Sequence, residues 1–173
     1  MGNSKFKGNI NTAYGLIHEK DAASDYLKEK QKTHIGCNLI EKGLIFSNEG
    51  WFATSVDRIF SCSCCKDKII VEIKCPKTTE NKQTSDFINS INYLKPDENG
   101  QAHLIPSHTY YTQIQSQMAI TKIHKADFVV WSSNGIISNT MSFDKDFWND
   151  VYDKAKSFYT TIIVPKLMSN EMQ

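Results

Sequence analysis

The stretch "IIVEIKCPK", residues 69–77, constrains the fold of this chain more than any other. It is an apolar, β-branched run that accepts an acid, Glu72, and a base, Lys74, before Pro76 stops it. β-Branched residues favour a strand, and proline ends one because it has no N–H for the ladder. Side chains alternate across a strand, so Glu72 and Lys74 share one face while Val71, Ile73 and Cys75 share the other. The second set is a core face. The first places a carboxylate beside an ammonium on a strand that otherwise wants to be buried.

The preceding segment, "GLIFSNEGWFATSVDRIF" (43–60), reads as a short strand, a turn at Asn48–Gly50 and a longer strand. If the following hairpin is centred on Cys64–Cys65, Asp57 falls opposite Glu72. This alignment depends on register, since a slip of one residue reverses every side chain. Two facing carboxylates repel unless positive charge lies between them. A divalent cation resolves the conflict, and Mg²⁺ is held through one or two carboxylates plus water and phosphate oxygens. Lys74 then stands where it can hold or polarise an attacking water. Asp57, Glu72 and Lys74 together read as a phosphodiester hydrolysis site.

Around this centre the patterns alternate. Residues 1–13 form a polar lead, and a helix runs from Tyr14 to about Lys32, with Leu16, Ala23 and Leu27 at helical spacing and Glu19 within it. Residues 77–85 read as a mobile polar loop, 86–94 as a short helix and 95–101 as a loop rich in turn residues. In 108–125, Tyr111, Ile114 and Met118 make one stripe of an amphipathic helix. A buried strand (126–133), a hairpin turn at Asn134–Gly135 and a further strand (136–143) follow. Asp144 caps a last helix, 144–170, which Pro165 is expected to break or kink. The order predicts one α/β domain with a mixed sheet over residues 14–170.

Composition narrows the setting. Hydrophobic residues make up 40% and charged residues 23%, the balance of an ordinary globular protein. No apolar run approaches the roughly 18 residues of a membrane span. Residues 1–30 have no apolar signal core, and Phe6 fills the position that a myristoylation motif reserves for Ser or Thr. An intracellular protein without a membrane partner is expected. The net charge of +1 leaves a nucleic-acid partner open, and Arg58 is the sole arginine, so phosphate contacts would rest on lysines.

The motifs also carry a resemblance. "SVD" (55–57) followed by "EIK" (72–74) resembles the PD-(D/E)XK nuclease pattern. "EIKCP" (72–76), "HTYYTQIQSQM" (108–118) and "ADFVVWS" (126–132) resemble the phage-lambda-type exonucleases and YqaJ-type viral recombinases. "GLIHEKDAASDYL" (15–27) is similar to that family's first active-site helix, whose glutamate falls on Glu19; the first glutamine of its Q-x-Q pair falls on Gln113. The likeness spans residues 14–168.

It implies a restriction-endonuclease-like core, a mixed central sheet flanked by helices. It also implies Mg²⁺- or Mn²⁺-dependent hydrolysis of DNA, as a 5′-to-3′ exonuclease in recombination or repair, nuclear in a eukaryote. By the resemblance Asp57 bridges metals, Glu72 and the Ile73 carbonyl ligate one of them, and Glu19 positions a second metal or its water. Lys74 supports the nucleophile and Gln113 orients Lys74 or the water. Ser55, Lys77, Tyr110 and Gln117 are candidates for DNA contact. A recombinase or single-strand-annealing partner and a ring-forming homo-oligomer are further implied possibilities. One departure stands out: the usual Ser-Pro-Asp-Gly is here Ser55-Val56-Asp57-Arg58. It keeps alive a second reading, a catalytically weak DNA-binding module derived from such a nuclease, and Arg58 needs a partner or solvent.

Plainer readings stand beside these. The Asp57, Glu72 and Lys74 set could be a surface salt-bridge ladder. Glu19 could belong to a solvated helix face with Lys20, Asp21, Asp25 and Lys28. Gln113 and Gln117 could be a polar stripe, and His108 and Tyr110 a cap and packing. Lys66, Lys68, Lys77 and Lys82 either meet phosphates or solubilise loops. Cys62 and Cys65 have C-x-x-C spacing, but zinc needs four ligands; Cys75 faces the core and Cys37 is distant in sequence. The expectation there is a thiol-rich hairpin tip without metal.

Overall fold

The computed structural model describes residues 10–170. In chain order the main elements are α1 (Ile10–Gln31), β1 (Asn38–Glu41), β2 (Leu44–Phe46), β3 (Ala53–Ser55), β4 (Arg58–Ser61), β5 (Ile69–Lys74), α2 (Phe87–Ser90), β6 (Leu94–Pro96), β7 (Ala102–Leu104), α3 (Thr109–Thr121), β8 (Lys125–Ser132), β9 (Gly135–Ser142), α4 (Lys145–Phe158) and α5 (Val164–Asn170). Most of the expected lead, residues 1–9, lies outside the described residues, but 10–13 are already helical. Nothing in Ile10-Asn11-Thr12-Ala13 breaks a helix, and each added residue gains a hydrogen bond once the helix is nucleated.

The central sheet has the order β1-β4-β5-β8-β9. β5 and β8 run parallel and every other neighbouring pair is antiparallel, so the sheet is mixed. A parallel pair needs a long crossover. Here it is supplied by α2, the β6–β7 hairpin and α3, which brings α3 across one face of the sheet.

That face buries Ile114 and Met118 of α3 against Ile70, Phe128 and Val130. On the other face, α1 lays Tyr14, Ala22, Ala23 and Tyr26 on Phe60, Val71, Val129 and Trp131. The inner stripe of α1 departs from the expected one at Leu16, which is 70% exposed; Ala23 is buried and Leu27 packs against the same cluster as expected, beside the buried Tyr14, Ala22 and Tyr26. The two alanines let the helix approach closely. A buried polar anchor then fixes its rotation. Tyr26 donates to Asp127 at 2.7 Å, Lys30 pairs with the same carboxylate at 2.7 Å, and Thr140 donates to it at 2.6 Å.

Three expectations change in detail. The longer strand within 43–60 is broken at Val56–Asp57: β3 pairs with β2, while β4 joins the main sheet. Residues 77–85 are not a loose loop, for Thr79 is fully buried and donates to the carbonyls of Pro76 at 2.8 Å and Trp131 at 3.1 Å. Pro165 interrupts the last helix, as expected, but does not end it. A π-turn over Tyr159–Ile163 widens the backbone there, and α5 continues with the proline in its first turn.

Candidate active site

The β4–β5 hairpin takes the register that a centre at Cys64–Cys65 requires, pairing Arg58 with Val71 and Ile59 with Ile70. Asp57 sits one residue beyond the last of these pairs, at the break between β3 and β4. Freed from the ladder, its carboxylate accepts a hydrogen bond from the Ile73 N–H at 2.9 Å. The strand break thus binds Asp57 to the backbone between Glu72 and Lys74.

Glu72 is 1% exposed, too deep for a surface ladder. Three side chains surround its carboxylate. Lys74 forms a close ion pair with it. Gln113 donates to one oxygen at 2.8 Å, and Gln117 donates to the other at 2.6 Å. Gln117 also donates to the Ser55 carbonyl at 2.7 Å. The two glutamines lie one helical turn apart on the face of α3 turned toward β5.

Burial pushes the Glu72 carboxyl above its usual range, the Lys74 charge opposes this, and the charge of Asp57 adds to it. For Lys74, burial alone would favour the neutral amine. The Glu72 carboxylate outweighs that effect and holds the ammonium above its ordinary value. The ammonium also lies over the Tyr110 ring, 4.6 Å from its centroid. Lys74 is therefore charged and fixed from two sides.

Glu19, Asp57, Ile73, Lys74, Lys77 and Tyr110 line one cleft of about 370 Å³ between α1, β5 and α3. Glu19 reaches it from α1, with its carboxylate 2.9 Å from the Arg58 guanidinium. Arg58 is 6% exposed; it also approaches Glu41 at 3.6 Å and donates to the Asp57 carbonyl at 2.6 Å. The residue that needed a partner finds it in a candidate metal ligand. Acidic charge is felt across the cleft: burial, with Glu19 and Asp57 adding to it, pushes the Cys75 thiol up to about 12.

Of the four candidates for DNA contact, Lys77 and Tyr110 are in this cleft. The Ser55 residue is exposed, although its carbonyl is taken by Gln117. Gln117 itself is fully buried beneath Glu72, out of reach of DNA. The four-residue spacing from Gln113 to Gln117 was the available sign that both amides serve one buried acceptor. His108 caps α3, accepting from the Tyr110 N–H at 3.2 Å.

The YqaJ-like viral recombinase domain family matches residues 1–124. The chain belongs to this family. Every candidate residue of this YqaJ-like domain, from Glu19 to Gln117, falls inside the match. The same fold occurs in the crystal structure of an alkaline exonuclease from Laribacter hongkongensis, with a TM-score of 0.67 at 21% identity over 96% of this chain and 78% of the other. A second structure of that exonuclease, in complex with dAMP, gives 0.67 at 21% identity, over 96% of this chain and 77% of the other. No curated protein matches the YqaJ-like domain significantly. Among its described residues, no helix is long and apolar enough to cross a membrane.

Proposed function

We propose that this YqaJ-like domain is a metal-dependent deoxyribonuclease that hydrolyses duplex DNA from its ends, working 5′ to 3′ in recombination or repair. The observation that carries the reading is the Glu72–Lys74 pair, buried at the edge of a cleft that Asp57 and Glu19 also enter. A buried charge pair held by two glutamines is costly to build and has no role in a plain sheet face. The resemblance to alkaline exonucleases agrees with it.

Donor chemistry fits Mg²⁺. Asp57, Glu19 and the Ile73 carbonyl offer hard oxygen ligands in the cleft, and Glu72 adds a carboxylate behind Lys74. Each acid has an internal partner: Arg58 for Glu19, the Ile73 N–H for Asp57, and Lys74 with two amides for Glu72. When bound, the ion supplies Lewis-acid stabilisation of the phosphoryl oxygens and a more acidic water. The chain's own residues do the rest. Lys74 presents its ammonium where an attacking water or phosphate oxygen would sit, and Tyr110 and Glu72 prevent it from swinging away. Gln113 and Gln117 hold Glu72 by their amide N–H groups and so set the position of Lys74 at second hand. Lys77 offers a charge to the DNA backbone.

The Arg58–Glu19 pair favours the second reading, a module that binds DNA and cuts it weakly. Arg58 already compensates a carboxylate that a second ion would otherwise need. Digestion of end-labelled linear duplex beside covalently closed circles, with and without Mg²⁺, tests the proposal. Loss of linear DNA from the 5′ end, sparing circles, supports it. Cutting of circles would indicate an endonuclease, and binding without cutting would leave the second reading.

A further inference from the structure

The fourth ligand that the hairpin cysteines lack in sequence is supplied by the fold. His34, just beyond the end of α1, sits over the β4–β5 turn with its Nδ1 atom 3.5 Å from Cys62 Sγ, 3.4 Å from Cys64 Sγ and 3.6 Å from Cys65 Sγ. Cys64 Sγ lies 3.4 Å from Cys62 Sγ and 3.9 Å from Cys65 Sγ. All four ligand atoms fall within 4.8 Å of one another. With Zn–S of about 2.3 Å and Zn–N of about 2.0–2.1 Å, a tetrahedral site separates its sulfurs by about 3.8 Å and sulfur from nitrogen by about 3.5 Å. The sulfur–nitrogen spacings match these values and the two sulfur–sulfur spacings straddle them, so small side-chain adjustments bring the four atoms onto one ion.

We propose that His34, Cys62, Cys64 and Cys65 form a structural zinc site. Three soft thiolates and a borderline imidazole suit zinc and do not suit Mg²⁺. The two segments that meet here are separated by 28 residues or more and are bound together by their backbones. The Ser63 N–H donates to the Ile35 carbonyl at 2.9 Å, and the Ile35 backbone hydrogen-bonds Cys64. Gly36 has φ +63°, and a Cβ there would lie 2.1 Å from Ser63 Oγ, so glycine is required for this approach. The His34 ring is steadied by the edge of Phe60, at 5.7 Å between centroids. All five cysteines are free thiols, and Cys37 and Cys75 stand outside the cluster.

The site is not the catalytic one. Asp57 and Lys74 lie at the opposite end of the β4–β5 hairpin; even the nearest ligand, Cys62, is five residues of chain from Asp57, about 16 Å along a strand. Its consequence is architectural. It joins the end of α1, which carries Glu19, to the hairpin that carries Asp57 and Glu72. The acids of the cleft therefore arrive on two elements tied at their far ends by one metal.

Metal analysis of the full chain, purified under reducing conditions without chelator, tests this apart from any cleavage assay. One zinc per chain is expected, lost in Cys64→Ser and in His34→Ala but retained in Cys37→Ser and Lys74→Ala. Because a ligand variant can simply fail to fold, the wild-type chain reconstituted with Co²⁺ gives the independent readout: tetrahedral d–d bands with thiolate-to-cobalt charge transfer. Zinc far below one per chain in fully reduced protein, with no such bands, overturns the proposal. So does a disulfide within the cluster, revealed by missing thiols on titration of the denatured chain. A wild-type chain that holds its zinc but cuts no DNA in Mg²⁺ or Mn²⁺ would overturn the proposed function and leave this site standing.

Discussion

The Arg58 guanidinium lies 2.9 Å from the Glu19 carboxylate, on the rim of the cleft that also holds Asp57. The arginine stands where the family resemblance leads one to expect glycine. It neutralises a carboxylate that is otherwise available to a metal. Arg58→Met is therefore expected to lower the thermal midpoint without divalent ion, because Glu19 loses its partner. Mg²⁺ should restore more stability to the variant than wild type gains, and half-maximal cleavage should need less Mg²⁺. Thermal melts across a Mg²⁺ series check this; equal gains in both proteins would count against it.

Gln117 is the deepest support of the site. Replacing it by leucine leaves Glu72 short of a donor and the Ser55 carbonyl without its amide. The expected cost is about 1–3 kcal/mol. Urea unfolding measures it, and an unchanged midpoint would show that the Glu72 carboxylate does not depend on this amide.

Tyr26→Phe removes one donor from the buried Asp127 while Lys30 and Thr140 remain. The variant should lose about 1–3 kcal/mol of stability. Cleavage should stay intact at low temperature, because the anchor lies beneath α1 and outside the cleft. Urea midpoints and activity measured on one preparation separate the two effects.

The Asp25 carboxyl is held below its usual range, first by the Trp131 indole N–H at 2.9 Å and then by Lys28. A depressed folded value contributes stability above the unfolded pKa of about 3.9, and that contribution is lost as pH falls through the folded value. Asp25→Asn should therefore be less stable than wild type at neutral pH, with the two stability curves converging in acid. The carboxylate is 41% exposed, so screening by water keeps the gap under about 1 kcal/mol. Curves that stay parallel down to acid pH would contradict the assignment.

The strand pattern around Glu72 and the hairpin centre at Cys64–Cys65 were legible because period-two alternation and register are local properties of the chain. Those two features were enough to place Asp57 against Glu72. The break at Val56–Asp57 was not legible. Nothing in "ATSVDRIF" marks a bend, and β3 turns away because its partner is β2. The Arg58–Glu19 and His34–Cys64 contacts were invisible for a related reason. Each joins segments about 30 or more residues apart, and packing of α1 on the sheet brings them together. Leu16 misled because helical spacing defines several stripes on α1, and the sheet selects the one that begins at Tyr14.

The most direct measurement of the central claim is degradation of linear duplex DNA by wild type and Lys74→Ala, each with Mg²⁺ and with EDTA, alongside DNA binding by both. The account predicts Mg²⁺-dependent loss of DNA by wild type and a fall of about 10²-fold or more in the variant, with binding retained. Equal cleavage by the two proteins, or binding by both with no cleavage in Mg²⁺ or Mn²⁺, would contradict it.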